Sequence, residues 1–161
     1  MAKSHPSNFV TCKFQPLRYT ENISVFYRTR CIYNPILFKG KKNHNSISRT
    51  YNYNIYNDTI KENVNTSDIH YPKNIIYQPS INRTKLLHPT QKPVALIEYL
   101  IKTYTNEGEI VLDFAAGSGT TGVAAMETNR KCVLIEKEEK YCEITIKRLQ
   151  EKEKEIAERL F

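Results

Sequence analysis

The sequence predicts an α/β fold built on parallel strands, and three observations carry that prediction. After Pro93 the apolar residues recur first at helical spacing, then as a short β-branched run, and this alternation repeats to give helix, strand, helix, strand, helix. One strand, Ile110 to Asp113, passes through a loop of small residues into an Ala-rich helix opened by threonines. Everything ahead of this succession is irregular and basic. Strands joined through a helix run parallel, with right-handed crossovers.

Each element has its own warrant. Ser4 to Leu17 shows little periodicity and reads as a lead-in loop, with a short strand at Phe9 to Cys12. Asn22 to Tyr27 alternates and is β-rich, which predicts a strand ended by Asn34-Pro35. Lys39 to Asp68 is polar, rich in Asn and Ser and without clear period, as in a long insertion whose order depends on a partner. Asn74 to Tyr77 is a second β-rich run, closed by Pro79. Pro93 suits the first turn of a helix whose apolar face is Val94, Ile97, Leu100, Ile101 and Tyr104, ended by Asn106-Glu107-Gly108. After the strand at Ile110 to Asp113, a helix runs to about Thr128. Lys131 to Glu136 reads as a buried second strand. From Glu138 a charged helix places Tyr141, Ile144, Thr145 and Leu149 on one side, and its tail, Glu151 to Arg159, reads as solvated.

Composition bounds the function. The length is that of one ordinary domain, no apolar run approaches the ~20 residues of a membrane span, and residues 1–15 hold no signal-peptide core, so a cytoplasmic location is expected. Cys12, Cys31, Cys132 and Cys142 lack metal-ligand spacing; they read as reduced, mostly buried thiols, and no metal is expected. Charge is partitioned: residues 1–90 hold 13 Lys and Arg against 4 Asp and Glu, whereas the remainder holds 11 against 13. Eight of the eleven tyrosines also lie in residues 1–90, among asparagines and lysines. Such a segment can neutralise phosphates while offering rings and amides to bases. An AT-rich genome enriches the same residue types, but it does not partition charge.

The loop after Asp113 carries the chemistry. Gly117-x-Gly119-x-x-Gly122 has the spacing of a dinucleotide fingerprint, with Glu136 about 20 residues on as a ribose acid. Asp113-Phe114-Ala115-Ala116 nevertheless separates the strand from the first glycine. An acid at the strand end repels a pyrophosphate and suits a ligand with an ammonium or sulfonium; S-adenosylmethionine has both. The positive end of the following helix suits a carboxylate or phosphate. A loop that merely turns a strand into a helix is the plain alternative.

His88-Pro89-Thr90-Gln91-Lys92-Pro93 followed by Val111-Leu112-Asp113-Phe114-Ala115-Ala116-Gly117-Ser118-Gly119-Thr120-Thr121-Gly122 resembles the cofactor half of the beta-group DNA amino-methyltransferases. These transfer methyl from S-adenosylmethionine to the exocyclic amine of adenine or, in some members, cytosine, and many belong to restriction-modification systems. Pro16 to Tyr27 with Tyr33-Asn34-Pro35 is similar to the strand before their target-recognition region, and Tyr71 to Ile76 to the segment returning from it. The resemblance implies that Asp113, Phe114, Gly117, Ser118 and Gly119 wrap the methionine part of the cofactor, with Thr120 at the helix start. It implies that Glu136 takes the ribose hydroxyls and that Thr90 and Lys92 lie beside the methionine moiety. The division expected is residues 1–87 as a strand plus a DNA-binding target-recognition segment, and 88–161 as the cofactor-binding α/β unit.

The sequence departs from the family at the catalytic motif. The family holds its target base in an Asp-, Asn- or Ser-Pro-Pro-Tyr motif, whose polar acceptors take the amino hydrogens while the aromatic ring stacks on the flipped base. The sequence has no such motif: Tyr33-Asn34-Pro35 is followed by Ile36, and Gln78-Pro79-Ser80 lacks the second proline and the ring. No catalytic residue is assigned. The chain thus resembles the C-terminal portion of such an enzyme, and the expected fold is a Rossmann-like S-adenosylmethionine-dependent methyltransferase fold with an incomplete sheet and an irregular basic insertion. The expected partners are double-stranded DNA and an N-terminal methyltransferase fragment supplying the motif. Two other functions stay open: a DNA-binding module without chemistry, and a nicotinamide-dependent oxidoreductase fragment, in which His88 to Pro93 has no place.

Overall fold

The computed structural model describes residues 10, 12–42, 47–50, 61–64, 68–79, 81, 84 and 86–159. Its elements in chain order are β1 (Phe38–Lys39), β2 (Ile47–Thr50), β3 (Lys61–Val64), β4 (Ile69–His70), α1 (Val94–Tyr104), β5 (Ile110–Asp113), α2 (Thr120–Glu127), β6 (Lys131–Leu134) and α3 (Glu139–Arg159). They fall in two units, one made of Met1–Asn34 with Asn74–Phe161 and the other of Pro35–Lys73.

The first unit contains the α/β succession expected after Pro93. β5 and β6 pair in parallel, from Ile110 opposite Lys131 to Asp113 opposite Leu134. The ladder continues past the strands, with the Ile135 N–H donating to the Asp113 carbonyl at 2.8 Å and the Ala116 N–H to the Ile135 carbonyl at 3.0 Å. Ile101, Ala124 and Ala125 form the core, with Val94, Ile97, Val111 and Cys132 packed against them. Two consecutive alanines without exposed surface let α2 lie close to α1.

Side chains alternate across a strand, so β5 and β6 present two faces. Val111 and Cys132 meet the helices, while Ile110, Leu112, Val133 and Ile135 stand on the other face and are exposed. The expectation of a buried second strand is therefore corrected: β6 is covered on one face and ends at Leu134. Among the described residues, the parallel sheet has these two strands alone.

Ahead of α1 the strand expectations fail. Val10 lies in a tight helical turn and Cys12–Phe14 in a turn, while Phe9 and Thr11 lie outside the described residues. Asn22 to Tyr27 is chain without a ladder, with Val25, Phe26 and Tyr27 exposed. Asn74 to Tyr77 contributes a single bridge residue, Tyr77. Alternation prepares a face, but a strand also requires a neighbouring backbone along its length; among the described residues Asn22 to Tyr27 has no ladder partner and Asn74 to Tyr77 is paired only at the Tyr77 bridge.

The segment before Pro35 is fastened to the end of α1. The Asn34 N–H donates to the Thr103 carbonyl at 2.8 Å, and its side-chain amide to the carbonyls of Thr105 at 3.1 Å and Lys102 at 3.3 Å. One asparagine thereby satisfies three of the carbonyls that a helix end leaves free. In the second unit, β1 pairs antiparallel with β4, Phe38 opposite His70 and Lys39 opposite Ile69, with the Gly40 N–H on the Asp68 carbonyl at 2.7 Å. β2 and β3 also pair antiparallel, so the polar stretch Lys39 to Asp68 holds regular strands that its composition did not signal.

The charged tail of α3 is tied down. Lys152 and Arg159 both pair with Glu127 at the end of α2 and with Glu155, the Arg159–Glu127 contact being 3.1 Å. The cysteines are free; Cys12 is exposed and Cys31, Cys132 and Cys142 are half-buried, which corrects the expectation of mostly buried thiols. Among the described residues, no helix is long and apolar enough to cross a membrane, and no group of His, Cys, Asp and Glu side chains could hold a metal ion.

Candidate functional site

The turn from β5 to α2 is shaped by its own acids. Asp113 ends the strand, and its carboxylate accepts the Ala115 N–H at 3.0 Å and the Thr121 hydroxyl at 2.6 Å, closing the chain around the strand end. Glu136, two residues beyond β6, accepts the Gly117 N–H at 2.7 Å on one oxygen and the N–H groups of Lys137 and Glu138 at 2.9 and 3.0 Å on the other. The N–H groups of Glu138, Gly117 and Lys137, in that order, hold its carboxyl below the usual carboxylate range, with His88 nearby adding to the effect. Glu136 is thus ionised and sits at the strand end beside the loop.

Gly117 and Gly119 have φ of 54° and 73°, a left-handed backbone that L side chains rarely adopt. A Cβ on Gly117 would lie 3.3 Å from the His88 ring, and one on Gly119 would lie 2.5 Å from the Thr145 methyl and 2.8 Å from its hydroxyl. The space saved by these glycines is filled by protein: His88 on one side and α3 on the other. His88 is itself held by the Tyr141 ring, edge-on at 4.3 Å, and by Thr90, whose N–H donates to Nδ1 at 3.2 Å. Lys92 pairs with Glu21 at 2.9 Å.

The predicted site residues therefore divide into two groups. Phe114, 80% exposed, Thr90 and Lys92 are open to solvent, and Asp113 and Glu136 are half-buried. On the inner side are Gly117, Ser118, Gly119 and Thr120, all buried. Ser118, 2% exposed, faces α3, where Arg148 donates to its carbonyl and, at 3.2 Å, to its hydroxyl; Arg148 also reaches the Thr120 hydroxyl at 3.5 Å. Thr145 donates to the Gly117 carbonyl at 3.1 Å. Sequence reasoning missed Arg148 and the contact of His88 with the loop, since both depend on an approach between distant stretches of chain.

The arrangement offers an acid at a strand end, an exposed ring beside it, a second acid across the turn and the free N–H groups of a helix start. A ligand with a cationic part, an apolar or aromatic part and vicinal hydroxyls finds a partner for each. A family model described as DNA methylase matches residues 12–147 of the chain. The Type II methyltransferase M2.DpnII of Streptococcus pneumoniae is 48% identical over 63 residues, 39% of this chain and 24% of that protein. The DNA adenine methyltransferase YhdJ of Escherichia coli (strain K12) is 47% identical over 62 residues, 38% of this chain and 21% of that protein. These matches span about a quarter of each relative. A solved structure titled M1.HpyAVI-SAM complex is similar at 43% identity with a TM-score of 0.42, covering 48% of this chain and 41% of that one.

Proposed function

The chain belongs to the DNA methylase family, and from that membership we propose that it is the cofactor-binding and target-recognition part of a site-specific, adenine-directed DNA methyltransferase that uses S-adenosylmethionine. The observation that carries this reading is the β5–α2 turn, where Asp113 and Glu136 each accept an N–H of the loop and Phe114 is exposed. When bound, S-adenosylmethionine supplies an electrophilic methyl on a sulfonium. Asp113 and Phe114 would flank its methionine part, Glu136 would accept from its ribose hydroxyls, and Thr90 and Lys92, both exposed, would lie beside the methionine moiety. Of the about four acceptor sites of a carboxylate, the loop contacts leave two on Asp113 and one on Glu136.

Transfer to an exocyclic amine also needs the base held and its lone pair freed from ring conjugation. The 161 residues contain no Asp-, Asn- or Ser-Pro-Pro-Tyr motif for this step. The proposal therefore includes a further polypeptide segment, of the same or a second chain, that brings the motif to the strand end. The apolar side chains Ile110, Leu112, Val133 and Ile135 on the bare sheet face support such a missing layer. A DNA-binding module without chemistry is the second reading, favoured by that same missing motif. The basic segment would contact duplex DNA, with a cytoplasmic location part of the same proposal.

Equilibrium titration tests the cofactor assignment. Binding of S-adenosylmethionine is expected to weaken on Asp113→Ala and on Phe114→Ala, the latter with thermal stability unchanged because that ring is exposed. Wild-type affinity equal to that of both variants would remove the assignment. For DNA, the logarithm of affinity should fall with the logarithm of salt at about −0.9 per phosphate neutralised. Salt-independent binding would discount the basic segment as the contact surface.

A further inference from the structure

We infer that Arg148 on α3, with Thr145 one turn before it, is a positioning residue of the glycine loop, fixing the Gly117–Ser118 and Ser118–Gly119 peptides in the orientation the cofactor site uses. The inference rests on the proposed reading of the loop as that site.

Its basis is geometric. Thr145 and Arg148 are three residues apart and so share a face of α3. They take consecutive carbonyls of the loop, Thr145 that of Gly117 and Arg148 that of Ser118. In a planar trans peptide the N–H points opposite to the C=O. Holding both carbonyls on α3 therefore turns the N–H groups of Ser118 and Gly119 away from it. The Gly119 N–H closes the turn on the Ala116 carbonyl at 2.9 Å, while the Ser118 N–H has no acceptor among the described residues.

Electrostatics argues that the guanidinium is not there by chance. Arg148 lies against the first residue of α2, where the helix dipole disfavours a cation. Burial also pushes its pKa down, and among the described residues no carboxylate lies within ion-pair distance of it. A half-buried cation held in this place is kept by its bonds to Ser118 and Thr120. Its charge, which Glu151 offsets only at longer range, adds to the positive end of α2 and favours an anionic group at the loop, such as a cofactor carboxylate.

The test uses the full chain with Arg148→Met, Arg148→Lys and, as a control on the same helix, Lys152→Met, which cuts the Glu127 contact without touching the loop. Arg148→Met is expected to weaken S-adenosylmethionine binding about tenfold, as for loss of a charge-assisted hydrogen bond, with partial recovery in Arg148→Lys. Lys152→Met should stay within about twofold of wild type. The amide resonances of Ser118 and Gly119 should move in the unliganded Arg148→Met chain and stay in place in Lys152→Met. Unmoved resonances in Arg148→Met, or equal affinity losses in Arg148→Met and Lys152→Met, would overturn the positioning role. If the wild type does not bind S-adenosylmethionine, the site assignment fails separately and the resonances alone decide the inference. Should Arg148→Met not fold, Thr145→Val, which is isosteric, carries the same test through the Gly117 carbonyl.

Discussion

The two faces of the β5–β6 pair are built from equally apolar residues and have opposite fates. On one face Val111 and Cys132 lie against Ile101, Ala124 and Ala125, while on the other Ile110 and Leu112 are 65% and 60% exposed beside Val133 and Ile135. Fully burying one such side chain contributes about 1.5–3 kcal/mol. Covering all four would add on the order of 5 kcal/mol, as much as many whole domains have in net stability. The sheet is thus finished towards α1 and α2 and unfinished on the other side, and activity and stability should both respond to whatever completes it.

The largest expected effect is on chemistry. Methyl transfer to adenine in duplex or single-stranded DNA should be unmeasurable for these 161 residues alone, several orders of magnitude below the level reached when a polypeptide with the Asp-Pro-Pro-Tyr motif is added, because positioning and preorganised electrostatics supply most of such an acceleration. A radiolabelled methyl assay decides. Turnover by the purified chain, abolished by Asp113→Ala, would show that the open side already holds a working base site.

A smaller effect separates the faces directly. Ile101→Ala, in the covered core, should cost about 2–5 kcal/mol in denaturant unfolding, whereas Leu112→Ala on the bare face should cost less than about 1 kcal/mol. Equal losses would mean that the bare face is covered in solution, and sedimentation at several concentrations would then show what covers it.

The smallest effect is local and depends on pH. The Glu136 carboxyl is held below its ordinary value by the N–H groups of Glu138, Gly117 and Lys137, so its contribution to stability is present above the ordinary carboxylate value of 4.5 and is lost as pH falls through the lower, folded value. The Gly117 amide resonance should therefore titrate on acidification below that range, and Glu136→Gln should flatten the titration. Glu127 and Glu155 are also shifted down, by Lys152 first and Arg159 second among their partners, so global stability will keep an acid limb in that variant. An unchanged Gly117 titration in Glu136→Gln would dissociate the acid from the loop.

How much of the molecule is legible in its sequence depends on how local each signal is. β5, its loop and α2 form one continuous stretch, so Ile110 to Glu127 announces itself through adjacent residues; Asp113 and Glu136 stand out by their spacing from the glycines, and family resemblance then gives each a role. Asn22 to Tyr27 has the same β-rich alternation and forms no strand, because pairing depends on a neighbour that the run itself does not encode. β2 and β3 show the converse: their polar sequences gain order from backbone pairing, which leaves no hydrophobic period to detect. Arg148 is hidden in a charged helix where basic residues are ordinary; only the approach of α3 to the loop distinguishes it from Lys147 or Lys154. Ser118 and Thr120 are legible as loop residues, but which way each side chain turns is decided by that same approach.

The fastening of Asn34 to the end of α1 has an evolutionary consequence. Residues up to Asn34 and from Asn74 belong to one unit, and the intervening Pro35–Lys73 closes on itself where Phe38 and Lys39 meet His70 and Ile69. Changing the length of an already closed loop costs little, about 0.6 kcal/mol for each doubling. Insertions, deletions and exchanges between β1 and β4 can therefore accumulate while Asn34 keeps its grip on the Thr103 and Thr105 carbonyls. The part proposed to read DNA is free to drift between lineages, and the part proposed to hold the cofactor need not change with it.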